Sequence, residues 1–208
     1  MEGRQLTVGR SALLLSIAAV LVAGSAFLLV VRQHGISARS EPLAIEALLA
    51  RSLRRLAIPA SARDAVNPVP ATEEALAEGR AHFADHCAQC HANDGSGRTA
   101  IGQNLYPKAP DMRTRDTQNL TDGDIFYLIF NGIRLTGMPA WGAEDAQSTA
   151  ETWKLVHFIR HLPHLSDAEL MEMESLNPKT PDQLEEEAAA KRFLQGPTTD
   201  VTNRHGGH

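Results

Sequence analysis

The 208-residue chain has only two cysteines, at positions 87 and 90, and no second Cys-x-x-Cys pair. That absence removes the usual four-thiolate zinc site, and it leaves neither thiol a competing partner elsewhere. Aromatic residues are scarce at 5%, while 11 prolines and 15 glycines are spread through the chain. Ordered structure is therefore expected over only part of the length, around a small core. No internal repeat is visible, and the middle of the chain has no basic excess. Residues 1–70 carry 8 Lys/Arg against 4 Asp/Glu, residues 71–165 carry 8 against 12, and residues 166–208 carry 4 against 9. An acidic central region repels phosphate, which excludes nucleic acid as a partner and suits a basic, membrane-proximal arm followed by an acidic docking domain.

The two cysteines belong to the pentapeptide Cys87-Ala88-Gln89-Cys90-His91. Cys-x-x-Cys-His is the attachment pattern of a covalent c-type haem: each thiol adds to a vinyl group, and the histidine lies beneath the iron as an axial ligand. A thioredoxin-type redox pair would want a strand-to-helix context and gives His91 no role. A zinc site lacks its fourth ligand. Haem attachment alone uses every specified position.

The 21 residues that start at Ser11 and end at Val31, SALLLSIAAVLVAGSAFLLVV, contain no charge and are long enough to cross a bilayer. Arg4 and Arg10 precede the run, as expected for an N-terminus kept in the cytoplasm. A cleaved signal peptide, cut near Ala23-Gly24-Ser25-Ala26, is the competing reading. The apolar run continues through Val31 and exceeds the usual signal core, which favours an uncleaved anchor. Residues 40–58 read as a basic amphipathic helix, suited to lie on anionic headgroups or against a partner helix, with an ordinary packed helix as the plain alternative. Pro59, Pro68 and Pro70 mark a linker.

Thr72 is placed to cap a helix that contains Gly79 and Phe83 and runs into the pentapeptide. Gly79 costs about 1 kcal/mol inside a helix unless another element needs the space. Residues 92–112 read as a long loop, justified if it wraps a haem. A helix starts at Thr121 and stops at Asn131-Gly132. Gly137-Met138-Pro139 is then a loop methionine, whose soft thioether suits the second axial position of a low-spin haem iron. Residues 150–162 give a helix with a broad apolar face, able to cross the first one at Gly79 with Phe83 against Phe158 or Trp153. Short acidic helices follow Ser166 and Asp182, and the last residues read as a flexible tail in which His205 and His208 are weak metal candidates.

Over residues 72–163 the order and spacing of these features resemble the class I cytochrome c family. The resemblance implies an all-α fold with crossing N- and C-terminal helices around one covalent haem c, held by Cys87 and Cys90, with iron ligated by His91 and Met138. It also implies a loop proline carbonyl, Pro107 or Pro110, that accepts from the His91 imidazole, and propionate partners among Tyr106, Arg113, Arg115 and Trp141. Haem attachment outside the bacterial cytoplasmic membrane is a further implication. Ala92 departs from the pattern, since glycine is frequent after the histidine.

The expected organisation is a membrane anchor over residues 1–35, the basic helix and linker over 36–70, a cytochrome c domain over 71–165, and an acidic tail over 166–208. The expected function is one-electron transfer in a respiratory chain, from a single-pass protein of the bacterial inner membrane with its haem on the periplasmic face. Redox proteins or a respiratory complex are the expected partners, with no small-molecule substrate. A haem c subunit of a larger oxidase or dehydrogenase is the alternative. A ligand-binding haem enzyme or sensor, in which Met138 detaches and His82, His86, His157, His161 or His164 substitutes, is the third reading.

Overall fold

The computed structural model describes residues 2–35 and 37–195, and all regular structure among them is helical, as the sequence implies. Helix α1 (Glu2–His34) contains the stretch Ala12–Gln33, long and apolar enough to cross a membrane. Its 22 residues span about 33 Å at the helical rise. The side chains along this stretch are exposed.

Helix α2 (Ala44–Ala57) starts just after Pro42 and buries none of its residues. The short α3 (Ala60–Arg63) follows, with Pro59 as its N-cap. The stretch read as a linker is tied down. Ile58 is buried, Thr121 Oγ1 donates to the Arg63 carbonyl at 2.8 Å, and Asn67 Nδ2 donates to the Trp153 carbonyl at 3.0 Å. His157 Nε2 lies 2.8 Å from the Val69 carbonyl. Proline forbids continued helix here, but Asn67 and the free carbonyls still find tertiary partners. The packed unit therefore begins ahead of the Pro70 boundary.

Helix α4 (Glu73–His82) is capped by Thr72, whose Oγ1 accepts from the Ala75 N–H. A wider π turn, Phe83–Cys87, carries it into α5 (Ala88–His91). After the loop come α6 (Arg115–Gln118), α7 (Asp122–Asn131) with a Thr121/Asp124 capping box, and α8 (Ala146–His161), capped by Asp145 and longer at its start than the sequence implied. The crossing of α4 and α8 falls at Gly79, where a Cβ would lie 2.3 Å from the Lys154 carbonyl oxygen and 3.2 Å from Phe158 Cβ. Phe83 and Phe158 meet with ring centroids 5.0 Å apart and are almost fully buried. Trp153 turns the other way and stacks on Phe126 at 4.2 Å. Each such aromatic contributes about 1.5–3 kcal/mol by burial, so this crossing dominates the small core.

The acidic C-terminal segment is not all tail. Helix α9 (Asp167–Leu176) has a Ser166/Glu169 capping box and inserts Met173, which is fully buried. Arg80 of α4 holds Glu169 at 3.0 Å and Glu172 at 2.7 Å, and His161 Nε2 lies 2.9 Å from Glu169. Helix α10 (Pro181–Gln195) is exposed along its described side chains. His205 and His208 lie outside the described residues.

Candidate functional site

The pentapeptide hangs from the end of the helix that makes the main core contact. Phe83 and Ala84 bury the π turn, and Cys87 packs against the same core. The two cysteines form no disulfide with each other. Burial, and then the neighbouring Cys90, push the Cys87 thiol up to about 12. A redox dithiol needs the opposite shift and a strand-to-helix setting, so the packing speaks against a thioredoxin-like pair.

The long loop after His91 folds back on the motif. The Gly97 N–H donates to the His91 carbonyl at 2.8 Å, and Thr99 Oγ1 donates to the Cys90 carbonyl at 3.2 Å. At Gly102 a Cβ would stand 2.1 Å from the Cys90 carbonyl oxygen, and at Gly97, with φ +71°, it would meet the Ala109 carbonyl at 2.3 Å. Both positions need glycine because backbone meets backbone there. Further along, Leu105 packs on Gly137, where a Cβ would be 2.5 Å from Leu105 Cδ2.

Gly137 precedes Met138. The Met138 N–H donates to Thr136 Oγ1 at 3.1 Å and its carbonyl accepts from Ile133 at 3.1 Å, so a hydrogen-bonded turn fixes the backbone. Its side chain is half-buried against the core that also receives Cys87. One loop thus touches the pentapeptide at one end and the methionine turn at the other. Cys87 and Met138 both pack against the one core cluster.

His91 is half-buried, and burial lowers its pKa, which favours the neutral ring, the form that ligates a metal. Its Nδ1 is buried without a hydrogen-bond partner. Neither the Pro107 nor the Pro110 carbonyl accepts from it, contrary to the arrangement the resemblance implies. The suggested propionate partners are partly engaged elsewhere. Tyr106 donates its hydroxyl to Glu46 at 2.7 Å, and Arg113 pairs with Asp111 at 2.7 Å and Asp94 at 2.9 Å. Trp141 is exposed, edge-on to His86 with centroids 5.5 Å apart, and Arg115 is exposed on α6.

Four of the five spare histidines have neighbours of their own, and His164 is exposed. His157 and His161 are held by Val69 and Glu169. His82 stacks near His86 at 4.7 Å, and His86 lies 3.1 Å from Asp85. Among the described residues no three His, Cys, Asp or Glu side chains converge as a metal-binding group. Thr99 and Leu105, which secure the loop, escaped the sequence reading: their role lies in contacts distant in sequence, signalled only by the glycines they pack near.

Ala92 adopts φ +60° and ψ 157°, a region that glycine occupies without strain. The glycine frequent at this position is therefore explained by the turn that releases the chain from α5.

Two thiols three residues apart, an adjacent imidazole with a buried, unpartnered Nδ1, and a methionine on a hydrogen-bonded turn have the donor chemistry of a covalently attached haem with one nitrogen and one sulfur ligand. Residues 74–159 match the family model described as cytochrome c oxidase, cbb3-type, subunit III. No curated protein matches the chain in sequence. The segment 74–159 is a c-type cytochrome domain of the mono-haem cytochrome c family, whose members carry covalently bound haem c.

Proposed function

We propose that this protein is a membrane-anchored electron carrier of a respiratory chain, with its haem domain on the outer face of a bacterial cytoplasmic membrane. The observation that carries the reading is the single loop that binds the Cys90-His91 backbone at one end and the Met138 turn at the other. When bound, haem supplies a reversible one-electron iron couple. In this reading Cys87 and Cys90 would hold it through thioethers, and His91 and Met138 would ligate its iron. The hydrogen-bonded turn fixes the Met138 backbone, so its thioether would be presented to the iron from a constrained loop. Helix α1 restricts the search for redox partners to the membrane surface.

The test is the ferric visible and magnetic circular dichroism spectrum. Wild type is expected to show the long-wavelength charge-transfer band of thioether-ligated haem, and Met138→Ala to lose it. A spectrum unchanged by Met138→Ala would refute the ligand assignment.

A second reading is favoured by one observation, the match to a family described as an oxidase subunit. In that case the domain is a fixed haem subunit of a larger oxidoreductase and not a shuttle. Purification in mild detergent separates the two: a stoichiometric complex supports the subunit, and a cytochrome recovered alone supports the carrier.

A further inference from the structure

Helix α2 presents two opposite faces with different partners. Placed at 100° per residue, Leu48, Ser52, Ile45, Leu56, Leu49 and Leu53 fill an arc of about 140°. The five apolar members of that arc are 55–81% exposed, Leu56 most of all. The other side of the helix is committed to the cytochrome domain. Glu46 accepts from the Tyr106 hydroxyl at 2.7 Å, Arg51 pairs with Asp116 at 3.0 Å, and Glu41, just ahead of the helix, pairs with Lys108. Arg54 and Ala47, opposite the leucines, are half-buried. An amphipathic helix normally turns its apolar stripe to its own core; this one turns its polar side inward and its leucines outward.

The chain itself indicates what covers the leucines. Ten residues separate Gln33, the end of the membrane-length stretch, from Ala44. Fully extended they reach no more than about 36 Å, so α2 cannot leave the neighbourhood of a bilayer crossed by α1. Arg55 borders the apolar arc and is exposed, Arg32 lies near the end of α1 and Arg39 in the connecting stretch, all three of the sign that anionic headgroups attract.

We infer that α2 lies in the headgroup region of the bilayer with Ile45, Leu48, Leu49, Leu53 and Leu56 at the acyl boundary. Its polar side then clamps the loop that wraps Cys90 through Tyr106, and helix α6 through Asp116. The anchor and α2 together hold the cytochrome domain in one orientation, with residues 105–116 facing the bilayer, where α1 alone would leave it free to tumble. This inference rests on the reading of α1 as a retained anchor only for the tether.

The test uses the haem-loaded full chain in vesicles of mixed phosphatidylcholine and phosphatidylglycerol, doped with a lipid that carries a photoreactive diazirine in its acyl chain. After illumination, mass spectrometry locates the lipid adducts. Adducts on residues 45–56 as well as on α1 are expected, with none on the exposed Met171 of α9. A Leu49→Glu, Leu56→Glu double variant is expected to lose the α2 adducts severalfold while those on α1 persist; both positions are exposed, so the fold does not depend on them. Adducts on α1 with none on α2 would overturn the inference and leave a partner helix as the occupant of the leucine face. Adducts on α2 in a mature chain found to lack α1 would support it while removing the anchor. A chain that takes no lipid adduct anywhere would overturn both.

Discussion

Gly79→Ala places a methyl group where the α4–α8 crossing has no room for one. The added Cβ would lie 2.3 Å from the Lys154 carbonyl oxygen and 2.8 Å from its carbonyl carbon. Both obstacles are helix backbone, so neither can swing aside. The helices must part by about 1 Å to restore van der Waals separation, and a gap of that size forfeits roughly a quarter to a half of each affected contact. The Phe83–Phe158 pair, at 5.0 Å, is the nearest to suffer. Overpacking of this kind costs about 1–3 kcal/mol, to which the weakened aromatic pair adds roughly 0.5–1 kcal/mol. Alanine returns up to about 1 kcal/mol through its better helix propensity. A net loss of about 1–3 kcal/mol follows, or a fall in Tm of roughly 5–15 °C for a domain near one hundred residues. Thermal unfolding of the haem-loaded chain, followed by far-ultraviolet circular dichroism, measures it. The displacement also runs through the π turn into the pentapeptide, so the charge-transfer band assigned to Met138 is expected to weaken. A Gly79→Ala protein as stable as wild type would refute the account of the crossing.

Three further outcomes follow from local geometry. Ala92→Gly relieves a φ of +60° and should raise stability by about 1 kcal/mol, after the greater chain entropy of glycine is set against the strain removed; a fall in Tm would contradict the strained turn. Gly123→Ala would drive a Cβ to 1.9 Å from the Ala62 carbonyl, so residues 58–70 should detach, read as faster amide exchange there with the α4–α8 crossing still protected. Burial would by itself raise the Glu169 pKa, but hydrogen bonds from the Ser166 N–H and hydroxyl, with His161 beside it, hold it down at about 2. A depressed carboxylate pKa stabilises fully above its unfolded value near 4.5 and loses that contribution as pH falls toward 2. Allowing for its partial exposure, roughly 2 kcal/mol is at stake, and Glu169→Gln should flatten the acid limb of the stability curve below pH 4.5.

The legible parts of this chain are those whose signals are local or whose spacing is rigid. Thr72, Thr121 and Ser166 announce their helices because a hydroxyl three residues ahead of a free N–H is a short-range device, and all three cap as the sequence implies. Gly79 is legible for a different reason: its cost within a helix demands a neighbour, and α8 was the element with an apolar face to supply one. The sequence could not choose between Phe158 and Trp153 at that crossing, since both lie on the broad apolar face of α8. Phe126 decided the matter by drawing Trp153 to α7.

The segments beside the cytochrome domain were harder to read because their partners lie far away in sequence. Arg80 reaches Glu169 across 89 residues and Asn67 reaches Trp153 across 86, and no periodicity encodes such pairings. Composition instead suggested a linker where prolines cluster and a tail where acids cluster. Residues 58–70 and helix α9 nonetheless make tertiary contacts. Met173 shows how little is needed to dock a helix: α9 carries four acids in ten residues, yet one fully buried methionine and one arginine clamp seat it against α4. Helix α2 is the converse case, rich in leucine and yet tied to the domain by the polar side chains of Glu46 and Arg51. For these flanking helices, hydrophobicity alone therefore misjudges attachment in both directions. The position of the charged partners on α4 and on the 105–116 loop decides which face turns inward, and so which face is left for a membrane.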